Sequence, residues 1–336
     1  MKLLLTGATG FVGRNLMLRA LAENRYDEIW VPVRSVSRLR QFFTDDGFEN
    51  IPARVKPVET SAPHWDLSAV PEVDHVIHGA GVLFAGDEKT YFETNVQGSL
   101  ELFRALKSLP KKAVVMSSQA AGGPCLGEMT EKSEGDQDLP ITWYGKSKLK
   151  MESELLAQFP DLNVLFLRPP MVLGPRDQAT LPLFKMVRSP LFFKPGLKVK
   201  HLSYISVFDL VSAAFAVLDD GEVWDERGRK PYYVSSENPV TDRELISLTA
   251  KASNRKGILV SIPQPLLRFI ASLMDHFAYW RKNFPSLSGD RALEVWPDRW
   301  VVNSKAFYEA FRWQPLEKLP VTLQKTREWY SKTGQL

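Results

Sequence analysis

The first half of the chain alternates short apolar runs with longer segments of mixed character. Lys2–Leu5, Glu28–Val33, Ala53–Val58, His75–His78, Lys112–Met116 and Asn163–Leu167 are too short for free-standing helices and read as strands. Between them, Phe11–Glu23, Glu88–Leu109 and Trp143–Gln158 have helical length and period. Strands covered on both faces should be continuous apolar runs, as Ala113-Val114-Val115-Met116 is, which points to a parallel sheet wrapped by helices. After Pro169 the rhythm changes. Prolines at 169, 170, 175, 182, 190 and 195 break up the chain until Tyr204–Val207, a further strand that leads into a helix over Phe208–Leu218. The expected class is α/β, a doubly wound parallel sheet followed by a smaller, less regular region.

Composition changes this picture only locally. The 336 residues amount to about two domains at roughly 100–200 residues each, and 44% apolar with 24% charged is ordinary globular usage. Forty-three basic against 39 acidic residues leave +4, too little for a nucleic-acid binder. The single cysteine, Cys125, can neither close an intrachain disulfide nor build a Cys-rich zinc site, so no metal and a reducing, cytoplasmic setting are expected. Thr6-Gly7 interrupts the N-terminal run Leu3–Leu5, which speaks against a signal peptide. The longest apolar stretch, near Val211–Leu218, is far below the ~20 residues of a membrane span, and Pro263, Pro265, Arg268 and Asp275 break up Ile258–Trp280.

Two skews remain. From Gln178 to Phe208 there is no acid, while Lys185, Arg188, Lys194, Lys198, Lys200 and His201 surround Leu191-Phe192-Phe193. That is either a solvated basic loop or a lip for an anionic group, such as a carrier phosphate or an anionic membrane surface. Five of the nine tryptophans (Trp280, Trp296, Trp300, Trp313, Trp329) fall in the last 57 residues, with Phe277, Tyr279, Phe284, Phe307, Tyr308 and Phe311. They either wall a pocket or fill a core.

The chemistry begins at the first strand. Leu3-Leu4-Leu5 runs through Thr6-Gly7-Ala8-Thr9-Gly10-Phe11-Val12-Gly13 into a helix. Gly7 permits a tight turn, Gly10 lets backbone approach a pyrophosphate, and Gly13 lets helix and strand pack closely; the helix start offers free N–H groups. A dinucleotide site is expected there. About 20 residues on, where NAD enzymes carry an acid for the ribose 2′-hydroxyl, the chain has Val33-Arg34-Ser35 and then Arg38. Guanidinium groups suit the 2′-phosphate of NADP, so NADP(H) is expected, with NAD the alternative.

Further along, strand Ala113–Met116 ends in Ser117-Ser118, at the carboxyl edge where open α/β sheets bind ligands. Tyr144-Gly145-Lys146-Ser147-Lys148 opens a helix, and the four-residue spacing puts Tyr144 and Lys148 on one face. A neighbouring ammonium and an oxidised nicotinamide both favour the phenolate, which suits Tyr144 to general acid/base work on a substrate oxygen, with a serine hydroxyl to orient it.

With these elements in order, the chain resembles the extended branch of the short-chain dehydrogenase/reductase superfamily, the NAD-dependent epimerase/dehydratase type. The resemblance continues through His78-Gly79-Ala80-Gly81, Asn95-Val96-Gln97-Gly98, Arg168-Pro169-Pro170-Met171-Val172-Leu173-Gly174-Pro175 and Val207-Phe208-Asp209-Leu210. It implies a Rossmann domain of residues 1–168 plus about 202–220, and a discontinuous substrate domain of about 169–201 and 221–336. It also implies that Tyr144 is the acid/base, that Lys148 grips the nicotinamide ribose, that Ser118 orients the substrate and that Asn95 buttresses the site. His78 and Ala80 would lie along the cofactor, Pro169 and Val172 would border the nicotinamide, and Glu59, rather than Asp66, would stand near the adenine. A homodimer is implied as well.

Two departures narrow the activity. Gln119-Ala120 stands where 4,6-dehydratases carry an acidic pair, which disfavours dehydration. Leu202 stands where nucleotide-sugar epimerases carry the arginine that grips the diphosphate. The similarity at Asn303–Ala306 and Phe311–Pro315 runs to hydroxysteroid-dehydrogenase and dihydroflavonol-reductase types. The expected function is an NADP(H)-dependent ketone/secondary-alcohol oxidoreductase on a moderately apolar small molecule (steroid-, flavonoid- or acyl-like). A nucleotide-sugar or sugar epimerase with bound NAD is the alternative, and a non-enzymatic dinucleotide sensor is the alternative from a different class.

Overall fold

A computed structural model describes residues 1–220, 230–263 and 290–336. The cofactor half runs β1 (Lys2–Thr6), α1 (Phe11–Ala22), β2 (Glu28–Val33), α2 (Val36–Asp45), β3 (Val55–Glu59) and β4 (His75–His78). It continues with α3 (Glu88–Tyr91), a π-helical stretch Phe92–Gln97, α4 (Gly98–Arg104), β5 (Lys112–Met116), α5 (Gln119–Gly122), α6 (Trp143–Gln158) and β6 (Val164–Arg168). The main sheet has seven parallel strands, in the order Pro231–Tyr233, β6, β5, β4, β1, β2, β3. This is the doubly wound α/β architecture expected from the apolar runs. Leu3, Leu5, Ile77, Val114 and Leu165 fill the core on one face, and Leu4, Val76, Ala113, Val115 and Phe166 fill the other.

Three differences from the sequence reading have physical causes. The single helix expected over Glu88–Leu109 is broken by the π-helical stretch and ends at Arg104. π-turns of this kind re-aim side chains near functional sites, and here the residue concerned is Asn95. Val207 caps no strand but opens the helix Val207–Asp219, because the Ser206 side chain accepts from the Phe208 N–H. Strand Pro231–Tyr233, placed by the sequence in the substrate domain, pairs with β6 as the edge of the main sheet. Helix Lys305–Phe311 follows it there, since Phe307 and Trp313 join the core formed by Leu210, Ala214 and Tyr232.

The remaining elements form a second lobe. Helices Leu181–Met186, Asp242–Ala252 and Leu319–Lys332 share an apolar cluster of Leu173, Phe184, Val240, Leu245, Leu323 and Tyr330. Beside it, Leu191–Pro195 and Ile258–Ile262 make a two-stranded parallel ribbon. The C-terminal aromatics Phe307, Tyr308, Phe311 and Trp313 pack on one another as core, and Trp329 stacks edge-on against Tyr330. Trp300 donates to the Glu294 carbonyl at 2.9 Å, while Phe277, Tyr279, Trp280 and Phe284 lie outside the described residues. Among the described residues no helix is long and apolar enough to cross a membrane.

Candidate active site

The glycine turn leaves β1 at Gly7, whose φ of +74° favours glycine, and an added Cβ would stand 2.6 Å from the Gly79 carbonyl. At Gly13 a Cβ would drive into the Gly7 carbonyl, so α1 packs against the turn only because both lack side chains. Thr9 and Gly10 are exposed, Phe11 and Val12 half-buried, and no side chain caps the start of α1. The first-turn N–H groups are therefore open to an anion. This cradle, which any side chain would fill, fits a dinucleotide pyrophosphate.

At the neighbouring edge, Arg34 and Arg38 are exposed after β2. Glu59 ends β3 in register with Val33, and its carboxylate accepts from the Val36 N–H at 3.2 Å. The structure thus brings all three residues expected around the adenine ribose to one sheet edge. His78 behaves differently. Its ring bonds Thr6 Oγ1 at 2.7 Å and Ser99 Oγ at 2.8 Å, and burial holds its pKa down to about 3. The ring is a neutral core group with no free nitrogen for a cofactor. Thr6 Oγ1 in turn accepts from the Ala80 N–H at 3.1 Å, which locks the β4 loop beside the glycine turn.

That loop carries the site toward the catalytic group. Asn95 is fully buried, its Oδ1 accepting from Val82 N–H at 2.8 Å and its Nδ2 donating to Ser147 Oγ at 2.9 Å. Asn95 therefore ties the loop to α6. A Cβ on Gly81 would stand 3.4 Å from Lys148 Nζ, so cofactor turn, loop and lysine are contiguous. Pro169 is buried and Val172 half-buried just beyond β6; the Pro169 carbonyl accepts from the Gln119 N–H at 2.9 Å and so fixes the start of α5.

Tyr144 and Lys148 lie on the buried face of α6, which Thr142 caps by accepting from the Gly145 N–H. Burial pushes the Tyr144 phenol up, opposed first by the Arg291 guanidinium and then by the Ser118 hydroxyl. Burial holds the Lys148 ammonium down to about 8, opposed by Glu152, and its Nζ donates to the Met116 carbonyl at 2.8 Å. The two adjacent serines now separate. The Ser118 hydroxyl faces the phenol and favours its charged form, whereas the Ser117 hydroxyl is buried against Glu152. The structure thus brings Ser118, Tyr144 and Lys148 together at the carboxyl edge of the sheet, groups whose chemistry suits proton exchange with an oxygen.

Several residues here escaped the sequence reading. Arg168, fully buried at the end of β6, donates to Asp138 at 2.7 and 2.8 Å and to Glu152 at 2.9 and 2.5 Å. This ion cluster clamps α6 to the sheet one turn beyond Lys148. Tyr91 anchors the loop above the site, its hydroxyl accepting from the Ala85 N–H and donating to the Leu83 carbonyl. Leu83 and Phe84 stand exposed there, and Val82, Ala85 and Trp143 pack around Tyr144 and Tyr91, so the mouth is apolar. Asp290, Arg291 and Glu294 reach α6 from a 3-10 turn nearly 150 residues away, a distance no local pattern spans. Leu202, by contrast, packs into the second lobe's apolar cluster.

Residues 3–226 match the model of the NAD dependent epimerase/dehydratase family. Ceramide reductase of Caulobacter vibrioides is 27% identical over 322 residues, covering 91% of this chain and 87% of that one. UDP-glucose 4-epimerase of Vibrio cholerae is 28% identical over 276 residues, 78% of each. Among solved structures, UDP-glucuronic acid 4-epimerase from Bacillus cereus, in complex with UDP-glucuronic acid and NAD, superposes with a TM-score of 0.77. It is 17% identical, with 99% of this chain and all of that one covered.

Proposed function

The chain belongs to the NAD dependent epimerase/dehydratase family, and from that premise we propose that it is an NADP(H)-dependent oxidoreductase interconverting a ketone and a secondary alcohol on an apolar small molecule. The observation that carries the reading is the convergence of Ser118, Tyr144 and Lys148 beneath an apolar mouth, contiguous with the glycine cradle. A nicotinamide dinucleotide held at the glycine cradle would supply the hydride chemistry. In reduction, the Tyr144 hydroxyl gives its proton to the carbonyl oxygen as that oxygen gains charge; in oxidation, the phenolate takes the alcohol proton. Ser118 holds the same oxygen in place, and the Lys148 ammonium would grip the nicotinamide ribose. Arg34 and Arg38, two cations against the Glu59 carboxylate, favour the 2′-phosphate of NADP(H).

The apolar substrate class follows from Leu83 and Phe84 at the mouth, from Leu202 where a diphosphate-gripping arginine would stand, and from the likeness to ceramide reductase over nearly the whole chain. A panel of apolar ketones with NADPH tests this. Tyr144→Phe should abolish most turnover while keeping cofactor affinity, and unchanged turnover would refute the role. The epimerase reading has the solved neighbours and the Vibrio cholerae relative in its favour. Cofactor that copurifies, with no net absorbance change on turnover of a UDP-sugar, would establish it instead.

The same reading extends to peripheral contact with an anionic membrane surface by an enzyme of the cytoplasm. Leu191 and Phe193 are in register with Ile258 and Val260, all four are exposed, and the exposed cations Lys185, Arg188, Arg255 and Lys256 flank them in sequence. Cosedimentation with phosphatidylglycerol vesicles, lost in Phe193→Ser/Ile258→Ser, is expected. Two copies would form the homodimer the family resemblance implies; a monomeric mass in sedimentation would remove that part.

A further inference from the structure

Tyr144 is enclosed, and the groups that face it come from four parts of the fold. The Ser118 hydroxyl faces it from just beyond β5, and the Tyr91 ring lies 6.1 Å away on α3. Lys148 is on its own helix, but its Nζ is committed to the Met116 carbonyl. The fourth element is the 3-10 turn Arg291–Val295. The Arg291 guanidinium carbon stands 4.8 Å over the Tyr144 ring centre and 5.5 Å over that of Phe84.

This arginine is held in place. Its Nη1 donates to Glu294 Oε1 at 2.7 Å, and the same oxygen accepts from Thr142 Oγ1, the cap of α6, at 2.8 Å. One residue before it, the Asp290 carboxylate accepts from the Trp143 N–H at 2.9 Å. The turn is thus fastened to the first turn of α6 on both sides of Arg291, whose side chain is only 13% exposed. A cation over the face of a phenol ring is attracted to the neutral ring and more strongly to the phenolate.

We propose that Arg291 is a positioning residue for the reaction, its guanidinium held by Glu294 over the Tyr144 ring so as to favour the phenolate during proton exchange with the substrate oxygen. The inference rests on Tyr144 being the acid/base. It assigns to an arginine of the C-terminal region the electrostatic role that sequence spacing gave to Lys148. Glu294 acts against it: its carboxylate faces the same phenol and disfavours the charged form. The closing of this turn on α6 therefore sets both the ring's orientation and the readiness with which it ionises.

The test reads ionisation directly, without a substrate. The protein is labelled with 13Cζ-tyrosine, Tyr144 is assigned as the signal missing from Tyr144→Phe, and its alkaline titration is followed by NMR. Arg291→Met should move the midpoint up by about one pH unit, a tenfold change in the phenolate ratio, and Arg291→Lys should recover most of it. An unchanged midpoint in Arg291→Met, or no recovery in Arg291→Lys, overturns the proposal. Failure of the underlying reading shows separately, as ketone reduction that survives Tyr144→Phe.

Discussion

Two buried histidines make the stability of the cofactor half steeply acid-sensitive. His78 bridges Thr6 and Ser99, and His75, also in β4, bonds the Tyr26 hydroxyl at 2.8 Å. Burial holds His78 down to about 3 and His75 to about 4, against an ordinary 6.5. As pH falls below 6.5 the unfolded chain takes up protons that the folded chain refuses, so stability falls with pH across the window from 6.5 to about 4. At 1.36 kcal/mol per unit, pH 5 costs about 2 kcal/mol for each ring and about 4 for the pair. Against a typical total of about 5–15 kcal/mol that is a large fraction. Other groups titrate in the same range, so the assay is a difference. Urea unfolding, followed by tryptophan fluorescence, is compared between the parent and His75→Gln/His78→Gln at pH 7 and pH 5. The parent's advantage should shrink by about 4 kcal/mol on acidification. An advantage that stays constant between the two pH values would refute the reasoning, because it would mean both rings protonate as readily in the fold as out of it. Protonated His78 cannot accept from Thr6, whose oxygen holds Ala80 beside the glycine turn, but the folded ring stays neutral across this window, so cofactor affinity of the folded protein should hold there and weaken only as pH approaches about 3.

Three further outcomes follow from packing and charge. Gly13→Ala should destabilise by about 1–3 kcal/mol and weaken dinucleotide binding, since its Cβ meets backbone that cannot turn aside; Gly135→Ala, with open space around it, is the control in melting and in fluorescence titration. Arg168→Met leaves Glu152 buried without its partner and should cost about 3–5 kcal/mol in urea unfolding; a loss below about 1 kcal/mol would show that the cluster does not clamp α6. Replacing Arg34 and Arg38 together with Ser should weaken NADPH binding and leave NADH binding nearly unchanged in equilibrium titration, and an equal loss for both cofactors would mean that neither guanidinium meets the 2′-phosphate.

How far the sequence could be read depended on how local each feature is. The glycine turn was legible because its requirement is a backbone one: Gly7 and Gly13 must lack side chains where strand, loop and helix meet. The Tyr144/Lys148 pair was legible because helical spacing alone places both on one face. The strands of the main sheet stood out as buried apolar runs. Short Pro231–Tyr233 did not, having three residues and no run to distinguish it. The break in Glu88–Leu109 was hidden as well, since its period looks helical and only the bonds from Asn95 to Val82 and Ser147 make the π-turn useful.

Two ambiguities left by composition were settled by packing. The C-terminal aromatics among the described residues are mainly core, as Phe307 and Trp313 show. The acid-free stretch is only partly a charged surface: Lys194 is buried against Asp242, and Lys200 donates to the carbonyls of Val295, Trp296 and Pro297. Contiguous residues, whose geometry a few backbone torsions set, thus carried the glycine cradle, the Tyr144/Lys148 pair and the class of fold. The charges gathered around α6, Arg291 with Glu294 beside Tyr144 and Arg168 against Glu152, come from segments far apart in the chain. Electrostatic effects depend on distance in space and on exclusion of water, and neither exists until the chain has folded.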